Sequence, residues 1–139
     1  MDGRILAIDP GGRRVGLALT DPLRIIASPF KTLLINNEDD ALKQILQVIV
    51  DQEVVEIVVG LPINNRREDS AQTTRVRAFI EKLKSVVTQP VHIIDESYSS
   101  VEAERMLHAM GKKVGDDKGA LDRLAATVIL EQFLAESRR

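Results

Sequence analysis

Asp9, the pair Asp95 and Glu96, and Asp122 are the residues whose types and places suit chemistry. Asp9 ends the apolar run "LAID", Asp95 and Glu96 close "VHIIDE", and Asp122 falls in the first turn of a long apolar helical segment. Carboxylates gathered at one place repel one another and are driven to protonate unless a cation intervenes. The chain has no cysteine and no histidine pair at ligand spacing, so hard oxygen donors favour Mg²⁺ or Mn²⁺ over Zn²⁺. Such ions keep several waters and complete their shells with phosphate oxygens. The expected chemistry is therefore phosphodiester hydrolysis, one ion activating water while a second, roughly 3.5–4 Å away, stabilises the leaving oxygen.

Each acid also has an ordinary structural use. Asp9 suits the start of the turn through Gly11 and Gly12. Asp122 suits a helix N-terminus, as do Asp116 and Asp117, and Asp95 suits a strand end. Their joint placement at strand and helix tips is what favours a metal site. Around it, Gly11 and Gly12 permit close backbone approach to a phosphate or simply a tight turn. Arg13 and Arg14 suit phosphodiester oxygens flanking a scissile bond, or a solvated hairpin tip. Arg66-Arg67 and Lys112-Lys113 would extend a basic rim or be plain surface. His92 and His108 lie away from the acids and read as structural, and Ser99 reads as a helix cap with no motif-linked base. Neither GxxxxGK[ST] nor GxGxxG is present.

The elements that must position these residues can be read from periodicity. "RILAID" (4–9) is apolar on both alternating faces, as a central strand would be. "VGLALT" (15–20) follows a short glycine turn and predicts an antiparallel hairpin. "SPFKTLLI" (28–35) is a weaker strand, pushed to an edge by Pro29. Leu42, Ile45, Leu46 and Ile49 predict a helix capped by Asn36 or Asn37. "VVEIVVG" (54–60) is a β-branched strand. Val76, Phe79, Ile80 and Leu83 predict a second helix, and "VHIID" (91–95) a fifth strand. Ser99 and Glu102 form a capping box for a short helix. A last helix, about 120–135, is apolar round much of its circumference. The order β-β-β-α-β-α-β-α-α predicts an α/β ribonuclease H-like fold, a mixed five-stranded sheet ordered 3-2-1-4-5 with helices on both faces. In that order Glu96 must lean over the end of the fourth strand to reach Asp9, and Gly60 would leave it room.

At 139 residues the chain has room for one domain, 1–139, and not for two. A net charge of −2 argues against a protein that holds a long duplex mainly by electrostatics, though not against a local basic rim. Only 3% of residues are aromatic, which disfavours stacking successive single-strand bases on rings. No apolar run is long enough to span a bilayer, and no export signal opens the chain, so no membrane partner and a cytoplasmic location are expected.

"AIDPGGRRVGLALTD", "VVGLPINN", "IDESYSS" and "LDRLAATVIL" together resemble the motif blocks of the YqgF/RuvX family, in family order and across nearly the whole chain. These are Holliday-junction-resolvase-like members of the ribonuclease H-like superfamily, associated with maturation of the 5′ end of pre-16S ribosomal RNA. The resemblance implies a metal-dependent nuclease with Asp9, Glu96 and Asp122 as its acidic triad. It places Gly11, Arg14 and Gly16 in the first block, and Gly60, Pro62 and Asn64 in the second. The implied partners are pre-rRNA or branched DNA, with pre-ribosomal particles, for a monomer or homodimer. Two departures bear on substrate choice. Ser97 and Tyr98 stand where the family has arginine and leucine, and "NNRR" replaces asparagine-methionine-aspartate-glycine, leaving Arg66 or Arg67 as the candidate replacement cation. The readings in competition are a junction resolvase and a non-catalytic RNA-binding assembly factor on the same fold. An actin-like or sugar-kinase nucleotide site would need a second such domain, for which the chain has no room.

Overall fold

The computed structural model describes residues 3–63, 70–96 and 118–138, together with Arg105 and His108, both helical. Strands β1 (Arg4–Pro10), β2 (Arg14–Thr20) and β3 (Ala27–Leu34) are followed by helix α1 (Glu38–Asp51) and β4 (Val54–Leu61). Helix α2 (Ala71–Val86), β5 (Val91–Asp95) and helix α3 (Lys118–Ser137) complete the described elements. The sheet order is β3-β2-β1-β4-β5. β1 pairs antiparallel with β2 and parallel with β4, and β5 continues parallel to β4. This is the expected ribonuclease H-like arrangement, with the carboxyl ends of β1, β4 and β5 at one edge.

Local chemistry accounts for the boundaries. Asn37 caps α1 by accepting from the Asp40 N–H at 2.8 Å, with Glu38, Asp39 and Asp40 favourably placed in the first turn. Ser70 caps α2 by accepting from Thr73 N–H at 3.1 Å. β3 is an edge strand, and its ladder slips beside Pro29, which pairs with Ala18. α3 is longer at both ends than its apolar run. The helix expected from Ser99 lies outside the described residues apart from Arg105 and His108.

Alternation along the strands divides the core in two. Leu6, Ile8, Leu17, Ile57 and Val59 face α1 and α2, where Ile45, Phe79 and Leu83 meet them. Ile5, Ala7, Ala18 and Val58 face α3, against Ala126, Ile129 and Leu130. No helix among the described residues is long and apolar enough to cross a membrane.

Candidate active site

Asp9 is the one acid of β1 and lies on its α3 face, in phase with Ile5 and Ala7. It pairs across the ladder with Gly16, which pairs in turn with Thr32 on β3. This row forms the bed for the first turns of α3. A Cβ on Gly16 would lie 2.0 Å from the Asp122 carbonyl oxygen, so only glycine lets the helix backbone come this close. Thr32 fixes the approach from the other side. Its hydroxyl donates to the Gly119 carbonyl at 2.7 Å and accepts from Arg123 Nη1 at 3.1 Å. Asp122 is delivered to the sheet edge by this contact.

Glu96 arrives from the opposite direction. Its N–H donates to the Leu61 carbonyl at 3.0 Å, which carries the β5 pairing one residue beyond Asp95. A Cβ on Gly60 would lie 2.7 Å from Glu96 Oε2, so the carboxylate occupies the space where β4 lacks a side chain. Glu96 does lean across the fourth strand, over its glycine, and its carboxyl group hydrogen-bonds to that of Asp9.

The electrostatic consequence falls on Asp9. Burial, then the charge and hydrogen bond of Glu96, then the charge of Asp122, push its carboxyl well above the usual carboxylate range. Asp122 is itself paired, its Oδ2 accepting from Arg14 Nε at 2.8 Å. Among the described residues no group of three or more His, Cys, Asp or Glu side chains forms a ready metal cage.

Arg14, expected to face a phosphodiester, thus holds an acid, with 43% of its side chain still exposed. Arg13 is exposed at the hairpin tip, its carbonyl accepting from Ile35 N–H at 2.9 Å. Gly11 is required by the hairpin itself, since a Cβ there would lie 2.3 Å from the Arg14 carbonyl oxygen. Asn64, Arg66 and Arg67 lie outside the described residues. His92 sits with Nε2 3.0 Å from Glu56 Oε2 and its ring 4.9 Å from that of Phe133, a half-exposed arrangement with structural partners. Sequence reasoning missed Thr32 and the Arg14–Asp122 pair. The contacts span 87 and 108 residues of chain, and no local pattern signals either.

Residues 3–136 match the family model described as RuvX, Holliday junction resolvase. This chain belongs to the RuvX family. Curated relatives bear the name "Putative pre-16S rRNA nuclease". One from Roseiflexus sp. is 38% identical over 98% of this chain and 96% of its own length. Another, from Koribacter versatilis, is 44% identical over 95% and 86%. Among solved structures the chain is similar to T. thermophilus RuvC in complex with Holliday junction substrate, at a TM-score of 0.60 and 14% identity over 97% of this chain and 96% of that one. The fowlpox virus resolvase with its junction DNA gives a TM-score of 0.60 at 6% identity, covering 98% and 99%. At such identities these structures establish the shared fold. Membership of RuvX makes the chain a nuclease, a hydrolase acting on structured nucleic acid.

Proposed function

We propose that this RuvX protein is a divalent-metal-dependent endonuclease, acting as one domain over 1–139, that processes the 5′ end of pre-16S ribosomal RNA within pre-ribosomal particles. The carrying observation is Asp9, half-buried against two further acids that two glycines admit to its side. A carboxyl held so far above its usual range is poorly used unless a cation takes up the charge, and an all-oxygen donor set suits Mg²⁺ or Mn²⁺. Asp9, Glu96 and Asp122 would hold the metal. Bound there, the metal would supply an activated water and charge stabilisation on the scissile phosphate. Asp9 and Glu96 anchor the site from the sheet, while Asp122 is aimed by Arg14. The exposed remainder of the Arg14 guanidinium and the neighbouring Arg13 suit the phosphodiester chain, and Arg66 and Arg67 are the further cations proposed to contact it.

Branched DNA is the second reading, favoured by the family's description and by the fold shared with RuvC. The deciding experiment incubates labelled pre-16S RNA and a four-way DNA junction with Mg²⁺, with Mn²⁺ and with chelator. Wild-type protein should cut the RNA in metal only, and Asp9→Asn should lower the rate by on the order of 10³-fold with the fold unchanged. Cleavage of the junction alone would select the second reading. RNA bound in chelator with neither substrate cut would make the protein an assembly factor, and a fully active Asp9→Asn would remove the metal site.

A further inference from the structure

On the opposite side of the β1–β2 turn from the acids lies a hollow of about 230 Å³. Pro10, Gly11 and Gly12, the residues that directly follow Asp9 along the chain, form part of its lining. The floor is apolar: Val15, Ala41, Val76 and Phe79 line it, each no more than 6% exposed. Polar groups are confined to the rim, where Glu38 stands on α1 and Gln72 and Arg75 on α2. An apolar floor under a few convergent polar groups is the general make-up of a small-ligand site.

Gly12 stands at this hollow under no structural requirement to be glycine. Its φ is not in the left-handed region, and a Cβ built on it meets nothing within 4 Å. Neither backbone conformation nor internal packing therefore asks for glycine, in contrast to its neighbour Gly11. Gly12 also lines the hollow, so a large side chain there would stand beside it.

We propose that this hollow receives one unpaired nucleobase of the substrate strand, with Glu38 reading its amino edge and Arg75 meeting the adjoining phosphate. Charge decides which end of the nucleotide enters. Glu38, Asp39 and Asp40 crowd the first turn of α1 and repel a phosphate pushed inwards, whereas an uncharged base is admitted. Glu38 is held by an ion pair from Lys82 to its Oε1, and a carboxylate has acceptor positions left for N–H donors. Adenine, guanine and cytosine carry an exocyclic amino group and uracil does not, so the first three are preferred. An unpaired base is the form in which RNA sequence is usually read, set against an aromatic or apolar surface with its edge hydrogen-bonded. The proposal takes from the nuclease reading only the origin of the strand.

The test titrates metal-free protein with AMP, GMP, CMP, UMP and ribose 5-phosphate, followed by amide and methyl NMR. The three amino-bearing nucleotides should shift Gly12, Ala41, Gln72 and Phe79 saturably, UMP should bind more weakly, and ribose 5-phosphate should leave these resonances in place. Ala41→Leu fills the floor and Gly12→Val narrows the mouth. Each should weaken nucleotide binding by about tenfold. Gly12→Val has room to fold, so it keeps the test decisive if Ala41→Leu does not. Equal shifts with ribose 5-phosphate, or undiminished binding by a folded Gly12→Val protein, would overturn the hollow as a base site. UMP bound as tightly as the others would overturn the role of Glu38. Cleavage is not read here, so the two readings fail separately: nucleotide bound without any nuclease activity removes only the nuclease, and cleavage without nucleotide binding removes only the hollow.

Discussion

The two faces of this sheet, only a peptide plane apart, are built to different rules. Towards α1 and α2 the strands present Leu6, Ile8, Leu17, Ile57 and Val59, an aliphatic layer that fills space and fixes little else. Towards α3 the corresponding positions near the acids are Ala7, Gly16, Ala18 and Gly60, met by Ala126, by the Asp122 backbone and by Ile129. Small residues bury little apolar surface and contribute correspondingly less to stability. What they permit is distance: the α3 backbone touches the sheet at Gly16, and the Glu96 carboxylate rests over Gly60. The first face holds the fold together, and the second places charges.

This contrast can be broken by exchanging one residue on each face of neighbouring β2 positions. Gly16→Ala drives a methyl into the Asp122 backbone, which cannot yield as a side-chain tip can. The expected result is a loss of about 1–3 kcal/mol in stability and on the order of 10²-fold in cleavage rate, because Asp122 and the metal geometry move together. Leu17→Ala on the other face should cost about 2–5 kcal/mol in denaturant unfolding yet leave kcat per folded molecule near wild type. Equal loss of kcat in both variants would end the division of labour.

Gly60→Ala sharpens the same point with a smaller effect. Its Cβ meets Ile129 Cδ1 and the Glu96 carboxylate, both able to shift. Stability should fall by roughly 1 kcal/mol or less, while the metal concentration needed for half-maximal cleavage rises. Arg14→Ala removes the cation that shares Asp122. Calorimetry should show Mn²⁺ bound about two- to fivefold more tightly, the scale of a partly exposed ion pair, and a gel shift should show nucleic acid bound more weakly.

The smallest effect is on pH dependence, and its sign follows from Asp9. The raised pKa means that the folded protein still holds a proton after the unfolded chain, titrating near about 3.9, has released it. Metal-free stability therefore falls as pH rises from the ordinary carboxylate range through the raised Asp9 value. Thermal melts in chelator should show that decline, and Asp9→Asn should flatten it and melt roughly 2–6 °C higher at neutral pH. Added Mg²⁺ should reverse the loss in the wild type alone. A rising metal-free profile across the same range would contradict the crowding of the acids.

Strand order, helix stripes and the choice of Asp9, Glu96 and Asp122 as candidates were legible from the chain. Periodicity and the ends of apolar runs are local properties, and a β-branched run such as "VVEIVVG" or the Leu42–Ile49 stripe declares its element wherever it lies. The need for Gly60 also followed, because strand spacing alone puts Glu96 too far from Asp9 without a gap between them. The use of Arg14 did not follow. Two adjacent arginines at a hairpin tip look alike in sequence, and only packing turns one towards Asp122 and leaves the other facing out. Nor did Thr32 stand out, an unremarked residue on an edge strand until α3 lies across it. The sequence by itself determined which elements form and which residues are able to do chemistry, since both depend on neighbours along the chain. Only the tertiary structure decided which charges meet, because a contact of a few ångströms between residues a hundred positions apart is set by how closely two elements pack.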